Sequence, residues 1–215
     1  MKIYYEDIEL ESIKEHHIEM IRNWRNKSAI QNRMIYREHI SGEQQQAWFE
    51  KLTQENQLFF LCKIKQKPIG LIYANELNWT EKISYNSGIF ITDDTIYGSG
   101  YPILIALLFT YCGFQLNLKE NRVKILNNNH NAIQFNKALG YVLKEQGAEW
   151  STYWLKKEDF RTALKTFPSQ FKIKEPLALE WENTAIDDFI QKIVAKSKTD
   201  SDQPFKIINE SETND

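Results

Sequence analysis

With 215 residues, 42% of them hydrophobic and 13% aromatic, the chain can bury one well-packed core and carry a modest appendage. A formal net charge of -2 and a mixed charged fraction of 26% exclude the basic footprint of a nucleic-acid or membrane-surface binder. No apolar run is long enough to span a membrane and Met1 to Asp7 has no signal-peptide core, so a cytoplasmic location is expected, with Cys62 and Cys112 as buried thiols and no metal site.

In chain order, Ile8 to Ile13 alternates apolar and acidic residues, a strand pattern with one buried face. From Glu15 to Arg25, Ile18, Ile21 and Trp24 recur at helical spacing. Residues 26–39 show no period and read as a loop or irregular helix. Ser41 is placed as an N-cap with Gln44 at the capping-box position, opening a helix over Glu43 to Leu52 that puts Trp48 and Leu52 on one face. Three strands follow, Leu58–Ile64, Ile69–Leu77 and Ile83–Ile91, and their short connections predict an antiparallel meander. Thr92 to Gly100 is a turn-rich loop. It opens an apolar helix, Tyr101 to Leu116, with Pro102 tolerated in the first turn. Val123–Leu126 reads as a strand. Asn127 to Gly140 is a loop and amphipathic helix stopped by Gly140. Tyr141–Lys144 and Trp150–Leu155 read as a closing strand pair. This divides the chain into a domain over 1–157, a helical extension over 158–196 with helices at Glu158–Thr166 and Asn183–Lys196, and a polar, disordered tail over 197–215.

The chemistry-bearing unit is the strand ending Phe90-Ile91, the loop Thr95-Ile96-Tyr97-Gly98-Ser99-Gly100 and the helix opened by Tyr101. A glycine-containing loop at a helix start presents backbone N–H groups beside the positive end of the helix dipole, an arrangement that suits a pyrophosphate. A plain strand-to-helix turn explains the same residues. Downstream, Asn129-His130-Asn131-Ala132-Ile133 opens a helix that ends Leu139-Gly140-Tyr141. Asn129 is either a ligand contact or a simple N-cap.

These two motifs, in this order and spacing, resemble the cofactor motifs of the GNAT superfamily of N-acetyltransferases, and the resemblance covers roughly Ile8 to Leu155. It implies an α/β GNAT fold: a mixed, mostly antiparallel sheet of about seven strands with helices on both faces. It also implies acetyl-CoA as cosubstrate, direct attack of an amine on the thioester, and cofactor contacts at Phe90, Ile91, Tyr97, Gly98, Ser99, Gly100, Tyr101, Asn129 and Asn136. Two positions depart from the family pattern. Thr95 stands where Gln or Arg is usual. Asn136 stands where many members place a general-acid Tyr; Tyr141, Tyr97 or a water then substitutes, or the thiolate leaves unaided. The strands Ile83–Ile91 and Val123–Asn127 should splay to receive the pantetheine arm, with a backbone N–H near Phe90 polarising the carbonyl. Glu76 and Glu81 are candidates to take the amine proton; a solvated hairpin charge is the alternative for each, and for Glu81 the simpler one.

For the acceptor, Arg22-Asn23-Trp24-Arg25-Asn26 with His39 resembles enzymes that acetylate nucleotide-linked amino sugars in pseudaminic acid type biosynthesis. Arg22 and Arg25 suit a diphosphate, Trp24 stacks on a base or staples its helix to the core, and His39 is a sugar contact or an exposed loop residue. The partner implied is a small molecule; a homodimer is compatible. A protein N-terminus, an aminoglycoside, or a non-catalytic acyl-CoA-binding module are the alternatives.

Overall fold

The structure is a computed structural model and describes residues 1–52, 56–174, 177–181, 191 and 205–208. Its strands are β1 (Lys2–Tyr5), β2 (Ile8–Ser12), β3 (Leu58–Ile64), β4 (Lys67–Asn78), β5 (Ile83–Ile91), β6 (Glu120–Leu126), β7 (Val142–Gln146), β8 (Trp150–Lys156), β9 (Leu177–Glu180) and β10 (Phe205–Ile208). Its helices are α1 (Ile18–Arg25), α2 (Ser28–Gln31), α3 (Gly42–Glu50), α4 (Tyr101–Gln115), α5 (His130–Ala138) and α6 (Lys157–Thr166). Among the described residues, these ten strands join one sheet in the order β10-β9-β1-β2-β3-β4-β5-β6-β8-β7. The sheet is therefore larger than the seven strands expected, because β1, β9 and β10 extend it on the N-terminal side.

The two faces of the sheet are buried differently. Helices α4, α5 and α6 cover one face and share its core with Leu10, Phe60, Ile72, Ile125 and Leu155. Helix α4 is apolar all round, and Ile105, Leu107 and Leu108 are fully buried; a helix of that kind belongs inside a fold. On the other face, α1, α2 and α3 close a smaller, aromatic core around Ile21, Ile30, Leu71 and Phe90. The capping box of α3 forms as read from its sequence: the Ser41 Oγ accepts from the Gln44 amide, and the Gln44 side chain accepts from the Ser41 amide.

Three sequence expectations change here. Glu9 and Glu11 on β2 were placed on an exposed face, but both are buried because Lys63 reaches them at 2.9 and 2.5 Å. The C-terminal extension does not stand apart from the domain. Phe160 of α6 enters the main core, and β9 pairs with β1. Within the expected tail, Phe205–Ile208 forms β10, parallel to β9. Apart from residue 191, the helix expected at Asn183–Lys196 lies outside the described residues. Cys62 and Cys112 are buried free thiols.

Candidate active site

The site originates in the parallel step β5-α4-β6 in the middle of the sheet, where the crossover helix α4 joins parallel neighbours. β5 and β6 pair only at Ile83↔Glu120, Ser84↔Asn121 and Tyr85↔Arg122. Beyond that rung they part, although β5 stays paired with β4 as far as Ile91 and β6 stays paired with β8 as far as Leu126. At the vertex sits Asn86, with φ 53°, a left-handed conformation that Asn tolerates better than most residues. The two strands thus present unpaired backbone groups across a wedge, with the free edges of Asn86–Ile91 on one side and Val123–Leu126 on the other.

At the open end of the wedge lies the glycine loop. Asp93 orders it, accepting from the Thr95 amide at 3.1 Å and from its hydroxyl, while Lys67 lies 3.1 Å away. Hydrogen bonds from Thr95 and Lys67 hold the Asp93 carboxyl below the ordinary carboxylate range. The amides of Ile96, Tyr97 and Ser99 are taken up inside the loop. Those of Gly98 and Gly100 find no acceptor among the described residues, and they lie beside the N-terminus of α4. A side chain at Gly98 would meet nothing within 4 Å, so the approach to these amides is open. Gly100 has φ +84°, and Phe171 packs against it. Two free amides, a positive helix end and open space fit a pyrophosphate.

On the face carrying α1–α3, segment 26–40 crosses the open end of the wedge. Asn26 exchanges two hydrogen bonds of 2.9 Å with the backbone of Ile40. Arg33 donates to the Tyr97 hydroxyl at 3.2 Å, beyond the end of β5. Arg37 meets Glu149 at 3.3 Å, beyond the end of β6. Ile35 and Tyr36 between them are half exposed. At the vertex, the Arg122 guanidinium stacks 3.9 Å from the centre of the Trp154 ring and 5.1 Å from that of Tyr85, with its Nε on Glu120.

The residues singled out in the sequence separate into groups. Phe90, Ile91, Tyr97, Gly98, Ser99, Gly100 and Tyr101 come together at the open end. Phe90 is buried among α1 and α2, while Ser99 and Tyr101 bond to Ile96 and Asp7. Asn129 caps α5, accepting from the Ala132 amide at 3.2 Å. Asn136 is bonded back to the Ala132 carbonyl at 2.8 Å. Tyr141 is buried in the α4 core, and burial pushes its phenol upward. Glu76 is exposed within β4 and opposite Tyr85. Trp24 packs edge-on against Phe90, as the staple reading has it. Arg22 is engaged by Glu19 at 2.6 and 2.7 Å and by the Ile40 carbonyl at 3.1 Å. Arg25 has a buried Nε without a partner, and His39 is exposed. Sequence reading missed Tyr73, Tyr85, Arg122 and Trp154, whose grouping depends on strand register, and Arg33 and Arg37, which the aperiodic segment 26–40 brings to Tyr97 and Glu149.

Residues 10–153, more than half of the chain, match the acetyltransferase (GNAT) domain model. The chain belongs to the GNAT acetyltransferase family, and its chemistry is acetyl-CoA-dependent N-acetylation. No curated protein sequence matches it significantly. Among solved structures, it is similar to the spermidine N-acetyltransferase of Vibrio cholerae in complex with CoA and spermine, at 16% identity and TM-score 0.65, over 73% of this chain and 99% of that one. An aminoglycoside acetyltransferase in complex with coenzyme A matches at 15% and 0.62, over 72% and 98%. A ribosomal L7/L12 alpha-N-protein acetyltransferase in complex with coenzyme A matches at 16% and 0.60, over 73% and 98%. At these identities the likeness is one of fold. Among the described residues, no helix is long and apolar enough to cross a membrane, and no cluster of three or more His, Cys, Asp or Glu is placed to hold a metal.

Proposed function

We propose that the chain acetylates the amino group of a nucleotide-linked amino sugar. The observation that carries this is a frame of arginines around the wedge on the α1–α3 face. Arg122 lies at the vertex, Arg25 beside Tyr73, and Arg33 and Arg37 at the open end. Guanidinium groups suit phosphate oxygens, and they repel the polycationic acceptors of polyamine and aminoglycoside enzymes. Glu120 and Glu149 each neutralise one arginine, so the net field is moderate. Arg22 contributes by holding Ile40, while Arg25 takes the phosphate role read for the pair. Cytoplasmic nucleotide sugars are the matching pool.

In this reading the donor's pyrophosphate sits on the Gly98 and Gly100 amides, on the α4 side. Its pantetheine arm runs along the free edge of β5, as an added strand does. The acceptor arrives from the opposite face. Its amine attacks the thioester near the vertex, and Glu76, directly or through water, takes the proton the nitrogen must lose. Free backbone N–H groups of β5 polarise the carbonyl.

The test is thiol release from acetyl-CoA with a panel of amines, followed by Arg122→Gln. The variant should raise the KM for a nucleotide-linked amino sugar at least about fivefold, roughly 1 kcal/mol, and leave the acetyl-CoA KM within twofold. Turnover of spermidine or an aminoglycoside with no turnover of any nucleotide sugar would refute the acceptor assignment.

A further inference from the structure

We infer that Tyr73 is a catalytic residue of acetyl transfer, its hydroxyl donating a hydrogen bond to the sulfur as that atom leaves. The inference rests on the reading that the wedge holds the acyl donor. Phe59, Tyr73 and Gly88 occupy one rung across β3, β4 and β5. The Phe59 and Tyr73 rings stack at 5.2 Å and 12°, and Trp48 closes edge-on against Phe59 at 5.2 Å. This row of rings directs the phenol of Tyr73 across the sheet onto β5. There Gly88 has no side chain to block it: a Cβ would lie 2.5 Å from the hydroxyl.

Gly88 stands in the middle of the splayed stretch of β5, three residues from Ile91 and three from the last paired rung at Tyr85. A chain anchored at the glycine loop and running inward along β5 brings its terminal group to this stretch. The Tyr73 hydroxyl makes no hydrogen bond among the described residues, so it is available to a ligand. Beside it, the Arg25 guanidinium has a buried Nε that also lacks a partner. The usual family position for a phenol offers none here, because Asn136 spends its amide within α5 and Tyr141 points into the opposite core.

The electron and proton balance is simple. The acceptor nitrogen bonds to the carbonyl carbon, the C–S bond breaks, and its electron pair stays on sulfur. The nitrogen gives one proton to Glu76 or water. The thiolate takes one from solvent after release. Tyr73 keeps its own proton, since burial pushes its phenol above the ordinary range against the opposing pull of Arg25. It therefore acts as a hydrogen-bond donor and not as an acid.

Tyr73→Phe preserves the ring stack and removes only the hydroxyl. The expected result is a kcat lowered about ten- to hundredfold, the range for a hydrogen bond to a charged group, with both KM values within twofold. A second readout needs no acceptor. In the binary complex with CoA, the CoA thiol, followed by thiolate ultraviolet absorbance, should titrate about one unit higher in Tyr73→Phe than in wild type, matching a tenfold change. An unchanged thiol titration would overturn the inference, whether or not an amine substrate had been found. Wild-type kcat in the variant would overturn it equally. If CoA failed to bind the wild-type protein, the inference would fall together with the reading it rests on. Turnover of an unexpected amine with the thiol shift present would overturn only the acceptor assignment.

Discussion

The Tyr73 hydroxyl occupies the space in which Gly88 would carry a side chain, 2.5 Å from the position of that missing Cβ. The contact ties the aromatic core under α3 to the free edge of β5. Gly88→Ala must push the phenol aside or displace β5. The expected cost is about 1–3 kcal/mol, as for overpacking elsewhere, measured by urea unfolding, together with a fall in kcat. A neutral effect on both would show that Tyr73 does not lie on β5.

The two glycines of the anion loop should respond differently to substitution. At Gly98 a side chain meets open space, so Gly98→Asp should fold normally. Its carboxylate would sit where the phosphates belong and should weaken CoA binding at least about tenfold, 1.4 kcal/mol. At Gly100, φ is +84° and a Cβ would lie 3.1 Å from the Phe171 ring. Gly100→Ala should therefore lower stability by roughly 1–2 kcal/mol. Calorimetry with CoA and thermal unfolding separate the two outcomes.

Asn129 caps α5 through the Ala132 amide. Asn129→Ala should cost about 1 kcal/mol of stability. Unfolding compared with and without saturating CoA shows whether a ligand contact adds to this cap. A larger loss in the presence of CoA is expected if the residue also touches the donor.

The buried charges on β2 set an acid limit. Glu11 is buried, which alone would raise its carboxyl, but bonds from Lys63 outweigh burial and lower it from 4.5. His17 is lowered from 6.5, first by burial and then by His16. Both folded-state values lie below the unfolded ones, so both contributions are present above the unfolded values and are lost as pH falls. Stability should therefore decline from about pH 6.5 downward. Lys63→Met leaves Glu9 without its cation and Glu11 with Lys14 alone, at 3.2 Å, and should cost roughly 3–5 kcal/mol near neutral pH. That cost should shrink toward low pH as the carboxyls take up protons. Urea melts of both proteins across this range provide the measurement; a deficit independent of pH would contradict the pairing.

What could be read without the structure was what repeats locally. The short apolar runs of β3, β4 and β5 with brief connections between them, the apolar α4, and the serine–glutamine box of α3 each carry their signal within a few residues. The pair Gly98 and Gly100 announced itself by position before a helix. Long-range register left no such trace. β1 and β10 are four residues each, too short for a pattern, and β9 finds its neighbour 176 positions away at Ile3↔Leu179. Tyr73 looked like any aromatic in a strand until Gly88 fell opposite it. Arg22 and Arg25 read alike in sequence, yet Glu19, one turn before Arg22, claims the first and leaves the Nε of the second unpaired.

The most direct measurement is steady-state thiol release from acetyl-CoA by the wild-type protein, with nucleotide-linked amino sugars, spermidine, an aminoglycoside and a peptide N-terminus as competing acceptors. Saturable turnover of a nucleotide-linked amino sugar, with kcat/KM at least about tenfold above the others, is the expected result. Tight CoA binding with no turnover of any amine would contradict the enzyme assignment and leave a binding module in its place.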